Sequence, residues 1–173
     1  DEVRIFLDQV SIHWYSFFLT AITTGLRVGE LLAMRWGNLD WSSGKYHVRE
    51  TYLRSRGGYA ACFARPKTDT SVAPVNITPM CIEALRDHKR RQTEKKMSLG
   101  QDYQDNDLIF GSGIGGPLDS CNIVKRIFNP TLKAAGLRRI RFHDLRHTCA
   151  SLLIAQGENP KYNLHGVYLT IPP

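Results

Sequence analysis

Residues 141–157 read RFHDLRHTCASLLIAQG, and this stretch decides the fold more than any other. At about 100° per residue, its apolar side chains share one side of a helix, which predicts a face packed on the core. That face holds Leu145, Cys149, Leu152 and Leu153. The opposite side presents His143, Arg146, His147 and Ala150. The stretch therefore predicts a helix that covers a core and displays a cationic face.

An imidazole and a guanidinium project together from the start of this helix. His143 and Arg146 are three residues apart, so their side chains are neighbours on the helix surface. The N-terminus of a helix adds free N–H groups and a partial positive charge. The pattern indicates a site for an oxyanion. A solvated polar face with a capping histidine explains the same four residues when they are taken alone.

Two earlier segments carry further candidate residues. Residues 24–32 read TGLRVGELL, in which a glycine ends one helix, Arg27 begins the next and Glu30 can hold Arg27 in place. Residues 65–75 read RPKTDTSVAPV, with Lys67 at a turn between two predicted strands. Taken singly, each segment is better explained by an ordinary surface cation.

The remaining pattern predicts an α+β fold that is mainly helical. Helical spacing or capping signals mark six stretches: 3–10, 11–24, 27–35, 79–97, 120–135 and 142–157. Three β-rich stretches, separated by turn signals, lie between the third and fourth helices: 45–53, 59–65 and 71–77. Because no helix separates these strands, we expect one small three-stranded antiparallel sheet near residues 45–77.

Composition and charge narrow the class of protein. The 173 residues carry 23 Lys+Arg against 16 Asp+Glu, a formal net charge of +7 that favours polyanionic partners. The four cysteines form no CxxC pair, which favours reduced thiols in a cytoplasmic protein over a zinc ribbon or a disulfide framework. We expect no secretory leader and no membrane partner, because no apolar run approaches the length of a membrane span.

Together the three segments resemble the catalytic domain of tyrosine recombinases of the phage-integrase type. TGLRxGE, PKT and HDLRHT occur here in the family's order, and the resemblance covers residues 1–160. Residues 161–173 are an atypical tail in which the family's pattern is lost. The resemblance implies the family's catalytic fold and site-specific DNA recombination or integration through a 3′-phosphotyrosine intermediate.

In the family, two arginines, a lysine and a histidine surround one scissile phosphate, and the matching residues here are Arg27, Lys67, His143 and Arg146. A planar guanidinium can donate to two phosphate oxygens at once and stabilise charge that builds during reaction. Lys67 would act as general acid toward the departing 5′-hydroxyl, and His143 as proton acceptor or phosphate donor. Neither a cofactor nor a metal is implied. The implied partner is double-stranded DNA, on which the full-length protein forms a homo-oligomer.

The end of the chain departs from the family. A Leu-Gly-His-x-Ser box and a nucleophilic tyrosine are expected beyond the second arginine, but the sequence ends KYNLHGVYLTIPP. This ending predicts a truncated or frameshifted tail, with His165 and Tyr168 as tentative replacements and Tyr162 as a weaker one. The family's N-terminal DNA-clamping domain is also missing. Because the tail lacks a matching nucleophile and is too short to dock on a neighbouring subunit, we expect a monomeric chain that cleaves DNA poorly. The Arg27-to-Lys67 separation is longer than expected and predicts an enlarged hairpin around 54–59.

Three other functions remain open from the sequence. The first is a DNA-binding remnant of the same family that lacks its nucleophile. The second is a type IB topoisomerase or telomere resolvase, which shares the chemistry. The third is a zinc hydrolase using His143 and His147, whose i, i+4 spacing occurs in zinc sites. Arg146 lies between the two histidines and argues against a bound cation.

Overall fold

The computed structural model describes residues 1–55, 60–65 and 74–157. Seven α-helices occur in these ranges: α1 (Glu2–Gln9), α2 (Ile12–Thr24), α3 (Val28–Leu32), α4 (Pro79–Leu99), α5 (Ser120–Ile123), α6 (Asn129–Ala134) and α7 (Asp144–Ala155). A π-helical turn, Val124–Phe128, joins α5 to α6, so that 120–134 is one helical stretch as predicted. The mainly helical α+β architecture is confirmed.

Local chemistry explains where the helices begin and end. Gly25 adopts φ 62° and ψ 21°, the left-handed conformation that glycine tolerates best, and it ends α2. The Thr78 side chain accepts a hydrogen bond from the Cys81 N–H, and Pro79 follows at the first helical position of α4. The Asp119 side chain likewise accepts from the Asn122 N–H at the start of α5. α3 is shorter than the predicted 27–35.

The strands form two sheets, so the expectation of a single three-stranded sheet over 45–77 is wrong in detail. One sheet has three antiparallel strands in the order β1 (Leu39–Asp40), β2 (Lys45–His47) and β5 (Pro74–Asn76). The other pairs β3 (Thr51–Leu53) with β4 (Cys62–Ala64), also antiparallel. The predicted strand at 45–53 is therefore divided between the two sheets. The alternating sequence pattern over 45–53 gives no sign of the break at residues 48–50, where the chain passes from one sheet to the other.

α2 is the centre of the fold, because every residue from Ser16 to Thr24 is buried. Aromatic rings tie it to the first and last parts of the chain. Phe6 of α1 packs edge-on against Phe18 at 5.2 Å, and Phe18 stacks on Phe128 at 5.8 Å. Phe142, just before α7, lies 5.4 Å from Phe128. Such ring pairs add to the free energy gained by burying apolar area.

Across the described residues, no helix has both the length and the apolar character needed to cross a membrane.

Candidate active site

α7 has the two faces that the sequence predicts. Leu145, Cys149 and Leu153 are buried, whereas His143 and Arg146 are exposed at the start of the helix. His143 is the N-cap residue, and its carbonyl accepts a hydrogen bond from the Arg146 N–H at 3.1 Å. The imidazole and the guanidinium therefore leave the same first turn toward solvent.

Arg146 is held against the turn that follows α2. Its Nη1 donates to the Gly25 carbonyl oxygen at 2.6 Å, across 121 positions of sequence. The backbones approach closely here, because a Cβ added at Gly25 would lie 3.2 Å from the Cys149 Sγ and 3.7 Å from the Arg146 Cγ. The Cys149 thiol in turn lies 3.6 Å from the Thr23 carbonyl oxygen. Packing between α2 and α7 thus sets the position of this guanidinium.

Arg27 is the N-cap residue of α3, two positions after the glycine that Arg146 contacts. The Glu30 carboxylate accepts from the Arg27 backbone N–H at 2.9 Å and from its Nη1 at 2.8 Å. Glu30 is buried, yet the Arg27 side chain keeps 53% of its surface exposed. Glu30 therefore holds Arg27 as predicted and leaves its guanidinium accessible. The two candidate arginines meet at one turn of the backbone.

His143 and His147 are in contact on the exposed face of α7. Their ring centroids lie 5.5 Å apart, edge to face. No group of three or more His, Cys, Asp or Glu side chains within the described ranges could hold a metal ion. The zinc-hydrolase alternative therefore has no third ligand in that part of the chain.

Asp144 joins the start of α7 to the segment before it. Its carboxylate accepts from the Arg141 backbone N–H at 2.8 Å and from the Arg141 Nη2 at 2.9 Å. These hydrogen bonds, the side-chain one first, hold the pKa of Asp144 below its ordinary value. The pair fixes the entry of the chain into α7 and thereby the position of His143.

Lys67, Tyr162, His165 and Tyr168 lie outside the described residues, as does most of the predicted enlargement at 54–59. The structure does describe β4, the strand that precedes Lys67 in the sequence. Ala64 of β4 pairs with Thr51 of β3. A Cβ added at Gly29 would lie 2.5 Å from the Thr51 Oγ1 and 2.9 Å from the Tyr52 carbonyl oxygen. β3 thus packs tightly on α3, two residues beyond Arg27.

Two contacts near the site were missed in the sequence analysis. The first is the Gly25 carbonyl as the acceptor for Arg146. The second is Arg35, whose Nε donates to Glu50 at 2.7 Å and whose Nη1 donates to the Asn106 carbonyl at 2.5 Å. Its guanidinium also lies 4.8 Å from the centre of the Phe63 ring. The glycine in TGLR is the one local signal for the first contact. Neither partner of Arg35 could be found from spacing.

Known proteins are similar to this chain over most of its length. A XerC-like tyrosine recombinase from Caldanaerobacter subterraneus subsp. tengcongensis is 33% identical over 153 residues, covering 82% of this chain and 39% of that protein. The ICEBs1 integrase of Bacillus subtilis is 29% identical, covering 88% of this chain and 40% of that protein. The chain thus spans about two fifths of the length of these relatives.

Solved structures share the fold. The Tn1549 transposon integrase in complex with transposon right end DNA aligns with a TM-score of 0.72 at 20% identity, covering 92% of this chain and 53% of that one. The XerA recombinase aligns with a TM-score of 0.66 at 22% identity, covering 95% and 52%. The model of the phage integrase family matches residues 2–162, nearly the whole chain. The resemblance drawn from the three motifs is confirmed, and the chain belongs to the phage integrase family.

Proposed function

We propose that this chain is the catalytic domain of a DNA strand-cutting and rejoining recombinase. In this proposal Arg27, Lys67, His143 and Arg146 bind one scissile phosphate. The observation that supports it most is the 2.6 Å hydrogen bond from Arg146 to the Gly25 carbonyl. It joins the HDLRHT segment to the TGLR segment, so two exposed guanidinium groups can reach a single phosphodiester.

Each group has a distinct task in the proposed reaction. The two arginines donate to the non-bridging oxygens and stabilise the negative charge that grows on them as a fifth bond to phosphorus forms. A tyrosine oxygen attacks phosphorus and its phenolic proton passes to His143, the proton acceptor in this proposal, as the 3′-phosphotyrosine forms and the bond to the 5′-oxygen breaks. Lys67 donates a proton to the departing 5′-oxygen, which leaves as a hydroxyl. A 5′-hydroxyl then attacks in the reverse sense, so the bond is remade without ATP or a metal.

Double-stranded DNA is the proposed partner, and the net charge of +7 supports long-range attraction to it. The Tn1549 integrase, which shares the fold, was solved bound to transposon DNA. We expect this chain to be monomeric in solution and the longer protein to assemble on DNA. We also propose that the protein acts in the cytoplasm.

A nicked duplex tests the phosphate site through binding. Arg27→Ala and Arg146→Ala should each weaken affinity by about tenfold or more, because each removes charge-assisted hydrogen bonds. Arg139→Ala is the matched control, since Arg139 is equally cationic and exposed but lies outside the proposed site. Equal losses in all three variants would leave only non-specific attraction and would refute the site.

A covalent-adduct assay distinguishes an active enzyme from a DNA-binding remnant. After incubation with the nicked substrate, a denaturation-resistant protein–DNA band would report the phosphotyrosine bond. We expect little or no band from this chain, because the family's tyrosine box is lost after residue 160. A robust band that disappears in Tyr168→Phe would show instead that Tyr168 is a working nucleophile.

A further inference from the structure

A cationic pocket, separate from the proposed phosphate site, lies at the end of α2 opposite Gly25. It opens between the first turn of α2, the middle of α4 and the glycine-rich loop at 111–113, and it encloses about 260 Å³. The length of α2 puts roughly 18 Å between the pocket and the turn that carries the candidate arginines. The pocket is therefore distinct from the phosphate site proposed above.

The charge on the pocket wall has one sign. Arg91 and Lys95 are four residues apart on α4, so their side chains lie on one face, and His13 comes from α2. The lining contains no aspartate or glutamate among the described residues, and neither Arg91 nor Lys95 forms an ion pair with any of them. Arg91 makes one long hydrogen bond, 3.4 Å from its Nη2 to the Ile12 carbonyl. A bound anion would therefore neutralise the positive charge of Arg91 and Lys95.

Four aromatic residues line another part of the pocket wall, namely Trp14, Phe17, Tyr103 and Phe110. Trp14 and Tyr103 are half-buried at the pocket, so each presents part of its ring. Beneath them Phe17 is buried against Trp14, with ring centroids 5.6 Å apart, and against Phe110 at 5.1 Å. These edge-to-face contacts make a firm apolar floor. A flat ring that carries an anionic group matches this wall better than an anion alone.

Two polar groups add directionality. His88 Nε2 lies 2.7 Å from the Ile109 carbonyl, which can only accept, so Nε2 holds the proton and Nδ1 is an acceptor. Burial, and after it the nearby charge of Arg91, lowers the pKa of His88, which favours the neutral ring. Within the described chain Nδ1 has no donor, and the Gly113 N–H has no acceptor. A Cβ added at Gly113 would meet nothing within 4 Å, so the loop is open at this residue.

We propose that this pocket binds a nucleotide unit whose base carries an amino group, as adenine and cytosine do. Arg91 and Lys95 hold the phosphate, the base lies against Trp14 and Tyr103, and its amino group donates to His88 Nδ1. The same chemistry is offered by a free nucleoside monophosphate and by an unpaired nucleotide of a DNA strand. The site goes beyond the proposed recombinase function and can be tested without strand cleavage.

Indole N–H signals in NMR give a direct test, because the chain has three tryptophans and only Trp14 lines the pocket. Trp41 serves as the internal reference, whereas Trp36 does not, because its Nε1 donates at 2.7 Å to Gln92, which lines the pocket. We expect AMP to shift the Trp14 signal with a Kd near about 1 mM. Adenosine, ribose 5-phosphate and IMP should each bind about tenfold more weakly, since each lacks one of the three recognised features.

Variants on α4 test the charge requirement. Arg91→Ala/Lys95→Ala should weaken AMP binding by at least about tenfold, and the single exposed variant Lys95→Glu should do so with less effect on folding. Arg86→Ala/Arg90→Ala removes the same charge from outside the pocket and should leave binding unchanged. Arg146→Ala should also leave it unchanged, which separates this site from the recombinase site.

A 5′-phosphorylated oligo(dA) strand identifies the source of the nucleotide. The same Trp14 shift at lower concentration than AMP would indicate a DNA strand, and equal or weaker binding would indicate a free nucleotide. The proposal is overturned if AMP leaves the Trp14 signal unmoved at about ten times that Kd. It is also overturned if adenosine binds as well as AMP, or if the Arg86/Arg90 control loses as much affinity as the Arg91/Lys95 variant.

Discussion

Gly25→Ala should disturb the turn that Arg146 depends on, and its cost can be worked from the structure. An alanine at φ 62° pays about 1–2 kcal/mol for the left-handed conformation. Its Cβ would also lie 3.2 Å from the Cys149 Sγ and 3.3 Å from the Cys149 Cβ, so α2 and α7 must separate slightly. Overpacking of this kind adds about 1 kcal/mol. We expect a total destabilisation of about 2–3 kcal/mol in urea unfolding.

Gly136→Ala is the matched control. Gly136 has φ 67°, nearly the same as Gly25, but a Cβ there would meet nothing within 4 Å. Gly136→Ala should therefore lower the free energy of unfolding only by the cost of the left-handed conformation, about 1–2 kcal/mol. Cys149→Ala in the Gly25→Ala background removes the 3.2 Å contact with Sγ but keeps the 3.3 Å contact with Cβ, so it should recover only part of the packing cost. Affinity for a nicked duplex should fall with Gly25→Ala and stay unchanged with Gly136→Ala. Equal destabilisation by the two glycine variants, or no recovery with Cys149→Ala, would refute the close-approach argument.

Three further outcomes are expected. Glu30→Ala should cost about 1–3 kcal/mol in urea unfolding and weaken nicked-duplex binding, because the Arg27 N–H and guanidinium lose a buried acceptor; unchanged binding would show that Arg27 needs no such support. Since the folded pKa of Asp144 lies below its unfolded value, its stabilisation is present above roughly pH 4 and is lost as pH falls through the folded pKa. The melting temperature of Asp144→Asn should then fall less steeply than that of the wild type below about pH 4, and identical profiles would contradict this. Duplex affinity should fall steeply with salt, and Arg146→Ala should reduce the slope of log K against log salt by about 0.9; an unchanged slope would mean that Arg146 touches no phosphate.

The helices could be predicted because their signals are local. Gly25 ends α2, Thr78-Pro79 opens α4, and the apolar side chains of α7 recur at the helical period. The two sheets could not be predicted, because strands of two or three residues carry too little alternation to reveal their partners. Among the described strands, β2 pairs with both β1 and β5 whereas β3 pairs with β4 alone, and these choices are set by packing between distant segments.

The candidate site, like the fold, could be predicted from the sequence only in part. Motif order identified Arg27 and Arg146, and the Glu30 partner followed from its spacing of three residues. The contact that holds Arg146 beside the turn before Arg27 could not be foreseen. It runs to a backbone carbonyl, which every residue has, and it depends on how closely α7 approaches Gly25. Side-chain identity carries no information about such an acceptor.

The burial of α2 also has a consequence for synthesis on the ribosome. α2 is apolar on nearly all sides and ends at residue 24, but α7, which covers it beside Thr23 and Gly25, is made more than a hundred residues later. Loop closure over that span costs entropy that no local contact offsets beforehand. The nascent chain must therefore leave the α7-facing side of this hydrophobic helix uncovered until α7 emerges, which prolongs the risk of aggregation during synthesis.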